Sequence, residues 1–194
     1  MTAEARKTRA TIVRVAELLF KRYGYGKTTI VDIARECAMS HANVYRFFRN
    51  KAQLADAVAA VWLDRIVEAG KRAAQRPGSV RERLIGLSVE LYLVKKREFL
   101  RTKSAHELMA YAEVNGQPSV DVYRQRIRDI YAALIEEGRR DGELRDVDSD
   151  ATAEGIMAAT VLFSHPLLME QFQDDDLEPK LRTVMDILTA GLMR

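Results

Sequence analysis

SHANVYRFFRNK, residues 40–51, packs three aromatic rings and three fixed positive charges into twelve residues. A helix made only for burial would not carry Arg46, Arg49 and Lys51 so close to Val44, Phe47 and Phe48. A solvated helix would not carry the rings. Ser40 is a good N-cap for a helix starting here. At about 100° per residue, Val44, Phe47 and Phe48 share one side, and Ala42, Tyr45, Arg46 and Arg49 fall opposite, with Asn43 at the edge. His41 sits in the first turn. Asn50 then caps a further helix, which aims Lys51 and a helix N-terminus together at any nearby phosphate. One face suits a protein core. The other suits the major groove of DNA, where first-turn side chains of a recognition helix reach base edges.

Apolar spacing extends the reading in both directions. Ile12, Val15, Ala16, Leu19 and Tyr23 recur at three and four and predict a first helix ending at Gly24. Thr28 or Thr29 serves as N-cap of a second helix, with Ile30, Ile33, Ala34 and Cys37 along one face. In that stripe Cys37 reads as a small core residue. A turn as short as Ala38-Met39 makes helices two and three a helix-turn-helix unit. Pro77-Gly78 ends helix four, and further helices are expected near 80–95, 97–114, 119–141, 150–164 and 176–193. Tyr123, Ile127, Ile130, Tyr131 and Leu134 form a buried stripe in the seventh. The ninth presents Leu177, Leu181, Val184, Leu188 and Leu192. With four prolines and no alternating β-branched run, the chain reads as all-α.

Composition removes several classes of function. The 194 residues are 47% hydrophobic and 30% charged, as in an ordinary globular protein. No apolar run approaches the roughly 18 residues of a membrane helix. The opening Met-Thr-Ala-Glu-Ala-Arg-Lys lacks the apolar centre of a signal peptide, so a cytoplasmic location and no membrane partner are expected. A lone Cys37 leaves no internal disulfide and argues against zinc. The net charge of +3 hides an asymmetry. Residues 1–51 carry 11 Lys and Arg against 4 Asp and Glu, while residues 52–194 carry 20 against 24. A basic end on a mildly acidic body suits a polyanionic partner.

Other motifs fail on inspection. GKTT at 26–29 echoes a phosphate loop, but Lys21 stands where that pattern requires glycine. Asp146, Asp148 and Asp150 alternate like a calcium loop, yet Ala151 and Met157 occupy its glycine and glutamate positions. These aspartates, and Asp174, Asp175 and Asp176, read as helix caps. HEL at 106–108 lacks a second histidine four residues after His106, and His165 before Pro166 reads as a helix end. No metal, cofactor or catalytic constellation is expected. A helical enzyme or protein-binding module with a degenerate helix-turn-helix is the alternative, and it would need such a constellation within residues 80–194.

TTIVDIARECAMSHANVYRFFRNKAQL, residues 28–54, resembles the helix-turn-helix of the TetR family of bacterial transcription regulators. The likeness extends over roughly residues 6–66. It implies a three-helix DNA-binding head (residues 1–51), joined by a bridging helix four to a ligand-binding and dimerisation domain (residues 52–194), in about nine helices. By position, Thr28 and Thr29 would touch phosphates, His41, Ala42, Asn43 and Arg46 would face bases, and Tyr45 and Lys51 would clamp the backbone. The expected partners are double-stranded operator DNA, a small-molecule effector and a second copy of the chain. The last two helices would form the dimer through Ala151, Gly155, Ala159, Leu181, Val184 and Leu188. Trp62, Ile66, Phe99, His106, Met109, Tyr123, Ile127 and Tyr131 are the candidate ligand-pocket residues, and Tyr111 also suits such a lining. Two positions depart from the family pattern, with Ala38 and Ala42 where glycine is usual. A left-handed alanine costs about 1–2 kcal/mol, so a slightly rearranged turn is expected.

Overall fold

The computed structural model describes residues 2–99 and 103–194, with the Phe99 side chain outside that description. The regular elements are α1 (Ala3–Tyr23), α2 (Ile30–Glu36), α3 (His41–Tyr45), α4 (Lys51–Ala74), α5 (Val80–Phe99), α6 (Lys103–Val114), α7 (Pro118–Arg140), α8 (Ser149–Ala159), α9 (Pro166–Gln171) and α10 (Leu177–Ala190). A 3-10 turn occupies Val161–Phe163, and an isolated antiparallel bridge pairs Leu144 with Met193. Among the described residues none of the helices is long and apolar enough to cross a membrane, and no group of His, Cys, Asp and Glu is placed to hold a metal ion. The chain divides into two compact units. Unit one is Met1–Leu63 with Arg101–Asp121, and unit two is Asp64–Leu100 with Val122–Arg194. Both α4 and α7 therefore contribute residues to each unit.

In unit one, α1 starts at the Thr2 N-cap and ends at Gly24, whose φ of 86° suits glycine. Its buried stripe is Ile12, Val13, Val15, Ala16 and Phe20. The expected Tyr23 is half-exposed instead, with the Arg22 guanidinium 5.1 Å from its ring. Phe20 takes the core position because it continues the four-residue step from Ala16. Thr29 caps α2 with Asp32 in a reciprocal capping box, an arrangement worth about 1 kcal/mol. Cys37 ends α2 as its C-cap and is only half-buried. Ala38 follows at φ 52°. The turn keeps its left-handed residue without glycine, so the expected rearrangement is absent and the steric cost is carried.

The third helix is shorter than its sequence suggests. It closes after Tyr45, because the amides of Phe47 and Phe48 both donate to the Val44 carbonyl, at 3.0 and 3.1 Å. This turn drops Phe48 into the core beside Val44 while leaving Phe47 half-buried. The Asn50 side chain then accepts from the Gln53 amide at 2.8 Å, and Gln53 reaches back to the Arg49 amide at 2.7 Å. Asn50 thus caps α4 as expected.

In unit two, α10 packs on α5 through Leu177, Leu181, Met185 and Thr189, a strict four-residue stripe. Gly138 lets α7 pass close to its neighbours, since a Cβ there would lie 2.9 Å from both Leu144 and Val80 side chains. Arg83 pairs with Glu137 through both guanidinium nitrogens and also donates to the Ala74 carbonyl at 2.8 Å. The expected eighth helix stops early, because the Thr160 hydroxyl back-bonds to the Ile156 carbonyl at 2.8 Å. Pro166, at the first position of α9, begins an additional short helix where only a helix end was expected. Asp148 caps α8 through the Ala151 amide. Asp176 stands at the α10 N-cap position without a side-chain cap bond, and Asp175 pairs with Lys180 at 2.6 Å instead.

Candidate nucleic-acid interface

The two faces of the opening stretch separate in space as their chemistry requires. Val44 and Phe48 are buried, whereas His41, Ala42, Tyr45, Arg46 and Arg49 are exposed and Asn43 is half-buried. The Ser40 hydroxyl accepts from the Asn43 amide at 3.2 Å, which fixes the start of α3. Beneath this surface the Arg9 guanidinium lies 4.8 Å over the Phe48 ring. Four exposed or half-exposed polar side chains, His41, Asn43, Tyr45 and Arg46, therefore project from one short helix and its C-cap, anchored through two buried side chains.

The residues flanking α3 divide into those that stay on the surface and one that does not. Thr28 is only 2% exposed, and its hydroxyl donates inward to the Gly24 carbonyl at 2.9 Å. Its amide goes to the same carbonyl at 3.3 Å. Thr28 is thus a fastener between α1 and α2, and the expected phosphate contact from its side chain is corrected: both donors are already used inside the protein. Thr29 stays exposed, with its hydroxyl and amide both directed to Asp32 at 2.6 and 3.0 Å. These bonds hold the Asp32 carboxyl below the usual carboxylate range. Lys51 opens α4 with its ammonium 3.4 Å from the Gly26 carbonyl and 4.3 Å over the Tyr25 ring. Partial burial lowers its pKa from the ordinary lysine value.

Residues 12–58 match the family model described as bacterial regulatory proteins, tetR family. Residues 81–185, more than half the chain, match the model described as tetracyclin repressor-like, C-terminal domain. The chain belongs to the TetR family. Over 55 residues it is 40% identical to the HTH-type transcriptional regulator TtgR of Pseudomonas putida, a stretch that is 28% of this chain and 26% of that protein. The match thus spans about a quarter of the curated relative's length. A TetR-family regulator from Pectobacterium atrosepticum superposes with a TM-score of 0.75 at 20% identity, covering 100% of this chain and 97% of its own. SmeT, the repressor of the Stenotrophomonas maltophilia efflux pump SmeDEF, gives 0.68 at 17% identity, with 96% and 90% covered. SmeT is also known in complex with triclosan. At these identities the two structures speak to fold alone.

In this TetR-family chain the candidate pocket residues fall in both units. Trp62, His106 and Met109 belong to unit one, and Ile66, Tyr123, Ile127 and Tyr131 to unit two. All seven are buried, and the Phe99 side chain lies outside the described residues. Trp62 donates to Glu17 at 2.8 Å, with Lys21 paired to the same carboxylate at 3.0 Å. Tyr131 is bonded to the Ser88 hydroxyl at 2.7 Å, and burial pushes its phenol up to about 12. Unit two also holds a groove of about 420 Å³ that none of these residues lines. Its apolar lining is Ala74, Ile130, Ala133 and Leu134, and its charged lining is Lys71, Arg83, Arg126, Asp129 and Glu137. Sequence reasoning missed this groove, and it also missed Lys95. That lysine is 6% exposed, donates to the Ser164 carbonyl at 3.1 Å and sits 5.2 Å from the Tyr123 ring.

The candidate dimer residues are unevenly presented. Ala151, Gly155 and Ala159 are exposed on α8, and a Cβ on Gly155 would meet nothing within 4 Å. On α10, Val184 and Leu188 are half-buried, and Leu181 is 1% exposed. Leu181 is core within its own chain, because it belongs to the stripe that packs on α5. Ile187, absent from the sequence expectation, is 68% exposed beside Leu188.

Proposed function

We propose that this TetR-family chain is a homodimeric transcription regulator of the cytoplasm. It binds double-stranded operator DNA as a repressor and releases it when a small-molecule effector binds. The exposed polar face of α3, anchored through Val44 and Phe48, carries the reading. In it, His41, Ala42, Asn43 and Arg46 face base edges, while Tyr45, Lys51 and the end of α2 at Thr29 meet the backbone. Arg46 supplies the planar donors that suit guanine, Asn43 those that suit adenine, and Ala42 a methyl that suits thymine. The basic balance of residues 1–51 supports a polyanionic partner. The repressor SmeT, its complex with triclosan and the regulator TtgR support the regulatory and effector-responsive parts of the proposal.

The effector part of the reading gives unit two its role. A groove of about 420 Å³ lies within the size range of small-molecule sites, with both apolar and charged lining residues. The exposed small and apolar residues of α8 and α10 supply the pairing face. A two-fold dimer reads two half-sites about 34–36 Å apart or a multiple of that. The test is selection of duplexes from a random pool by the full chain, followed by a salt titration on the enriched sequence. A near-palindrome whose affinity falls steeply with salt is expected. Failure to enrich any sequence would overturn the proposal.

A further inference from the structure

Tyr25 lies in the loop between α1 and α2, outside every helical stripe, yet three neighbours in unit one converge on it. Phe20 meets its ring edge-on at 5.5 Å and 74°. The ring of Tyr111 of α6 lies against it, with centroids 4.7 Å apart and a tilt of 34°. Lys51 stands over it, with its ammonium 4.3 Å from the ring centroid and 3.4 Å from the carbonyl of Gly26. Burial, reinforced by the neighbouring Tyr111 side chain, raises the Tyr25 phenol to about 12, so the ring stays neutral at any ordinary pH.

These contacts bear on how a lysine can grip DNA. An ammonium on a four-carbon stem loses rotamer freedom when it settles on one phosphate, and that loss weakens the contact. Here the ring and the Gly26 carbonyl hold the ammonium from two sides before any partner arrives. One of its three N–H groups is directed to Gly26, which leaves two for an anion. The cation–π attraction needs the face of the ring but not its hydroxyl.

We propose that Tyr25 is a positioning residue for Lys51, with Tyr111 fixing the ring, so that the ammonium is set in advance for a phosphodiester of the DNA backbone. This rests on the reading of Lys51 as a backbone contact. Phosphate contacts carry no base identity, so a mixed-sequence duplex of about 30 base pairs is a sufficient probe. Affinity is measured across a salt series for the full chain and for Lys51→Ala, Tyr25→Leu, Tyr25→Phe and the Lys51→Ala/Tyr25→Leu pair. Lys51→Ala should weaken binding and lower the salt slope by about 0.9. Tyr25→Leu should weaken binding roughly two- to fivefold in the parent and have no further effect in Lys51→Ala. Tyr25→Phe should bind as the parent does.

The outcomes separate the two ideas. If Lys51→Ala binds like the parent, the backbone reading fails and takes the positioning role with it. If Lys51→Ala weakens binding while Tyr25→Leu costs the same factor in both backgrounds, or tightens binding, the positioning role alone fails. A nuclear magnetic resonance measurement covers the case in which Tyr25→Leu does not fold. The ε-methylene protons of Lys51, assigned by their loss in Lys51→Ala, should be shifted upfield by the ring in the parent and in Tyr25→Phe. Unshifted signals in the parent would overturn the proposal.

Discussion

The exposed polar face of α3 and the outer faces of α8 and α10 are both open to solvent, but they are built from different materials. On α3 and the turn after it the exposed groups are an imidazole, a phenol and two guanidiniums, with the Asn43 amide half-buried among them. On α8 they include Ala151, Gly155, Ala158 and Ala159 beside Asp150 and Glu154, and on α10 the largest exposed apolar side chain is Ile187. The first face is rich in directional donors and already well hydrated, so it gains most from a charged, hydrogen-bonding partner. On the second, charged side chains are paired within the chain, Glu154 with Arg128, Lys180 with Asp175 and Arg182 with Glu178, so its small and apolar residues gain most from another closely fitting surface. Exposure alone says that a partner is possible. The chemistry of the exposed atoms says which kind.

Breaking the α8 face should have the largest effect. A Cβ at Gly155 meets nothing within 4 Å, so with Gly155→Glu the monomer should fold normally while the charge blocks close pairing. Sedimentation should show monomer, and operator affinity should fall roughly 100-fold or more as bivalency is lost. A monomeric variant with full affinity would contradict the assignment of this face. Breaking the α3 face should act more selectively. Arg46→Ala should lose about 1–3 kcal/mol of discrimination at one base pair of a half-site, whereas Lys51→Ala should weaken all duplexes alike. Repeating the duplex selection with each variant checks this, and a changed consensus for Lys51→Ala alone would reverse the orientation given to α3.

Two smaller effects concern the frame that holds the α3 face. Ala38→Gly should stabilise the protein by about 1 kcal/mol, since φ 52° is strained for alanine and open to glycine. Thermal unfolding measures it, and an unchanged or lower midpoint would mean that the gain in chain entropy of the unfolded state cancels the relief. The smallest effect is electrostatic. Asp32 has its carboxyl held below the ordinary value chiefly by the Thr29 side chain and amide. A depressed carboxyl contributes stability above its unfolded pKa and loses it as pH falls through the folded one. Asp32→Asn should therefore flatten the acid side of the pH–stability curve and leave its neutral-to-basic side unchanged in shape.

Legibility differed between the units for a physical reason. In unit one the caps were readable because capping depends on residue type at a fixed offset, as at Ser40, Thr29 and Asn50. The core side of residues 41–49 came out at Val44 and Phe48 but not at Phe47, which is half-buried because the helix ends at Tyr45 rather than continuing beneath it. Tyr25 escaped because a loop residue has no periodicity. The only available signal was an aromatic held between Gly24 and Gly26, too little to name a neighbour. In unit two, Ile66, Ile127 and Tyr131 fit a pocket lining and a packed core equally well from spacing alone, and they are buried. The groove lies where side chains are small, at Ala74 and Ala133, and absent atoms leave no mark on a hydrophobic pattern.

Unit one is discontinuous, since residues 101–121 return to the compact body begun by residues 1–63. On the ribosome the chain emerges from its N-terminus, so α1 to α4 are available well before α6 exists to lay Tyr111 against Tyr25. Until α6 has been synthesised, the early helices lack one of their packing partners, and Tyr25 lacks the ring of Tyr111. A fragment cut after Leu63 would be left in that condition permanently. The end of the molecule that carries the helix-turn-helix is the first part to be made, and it is not the first part to be finished.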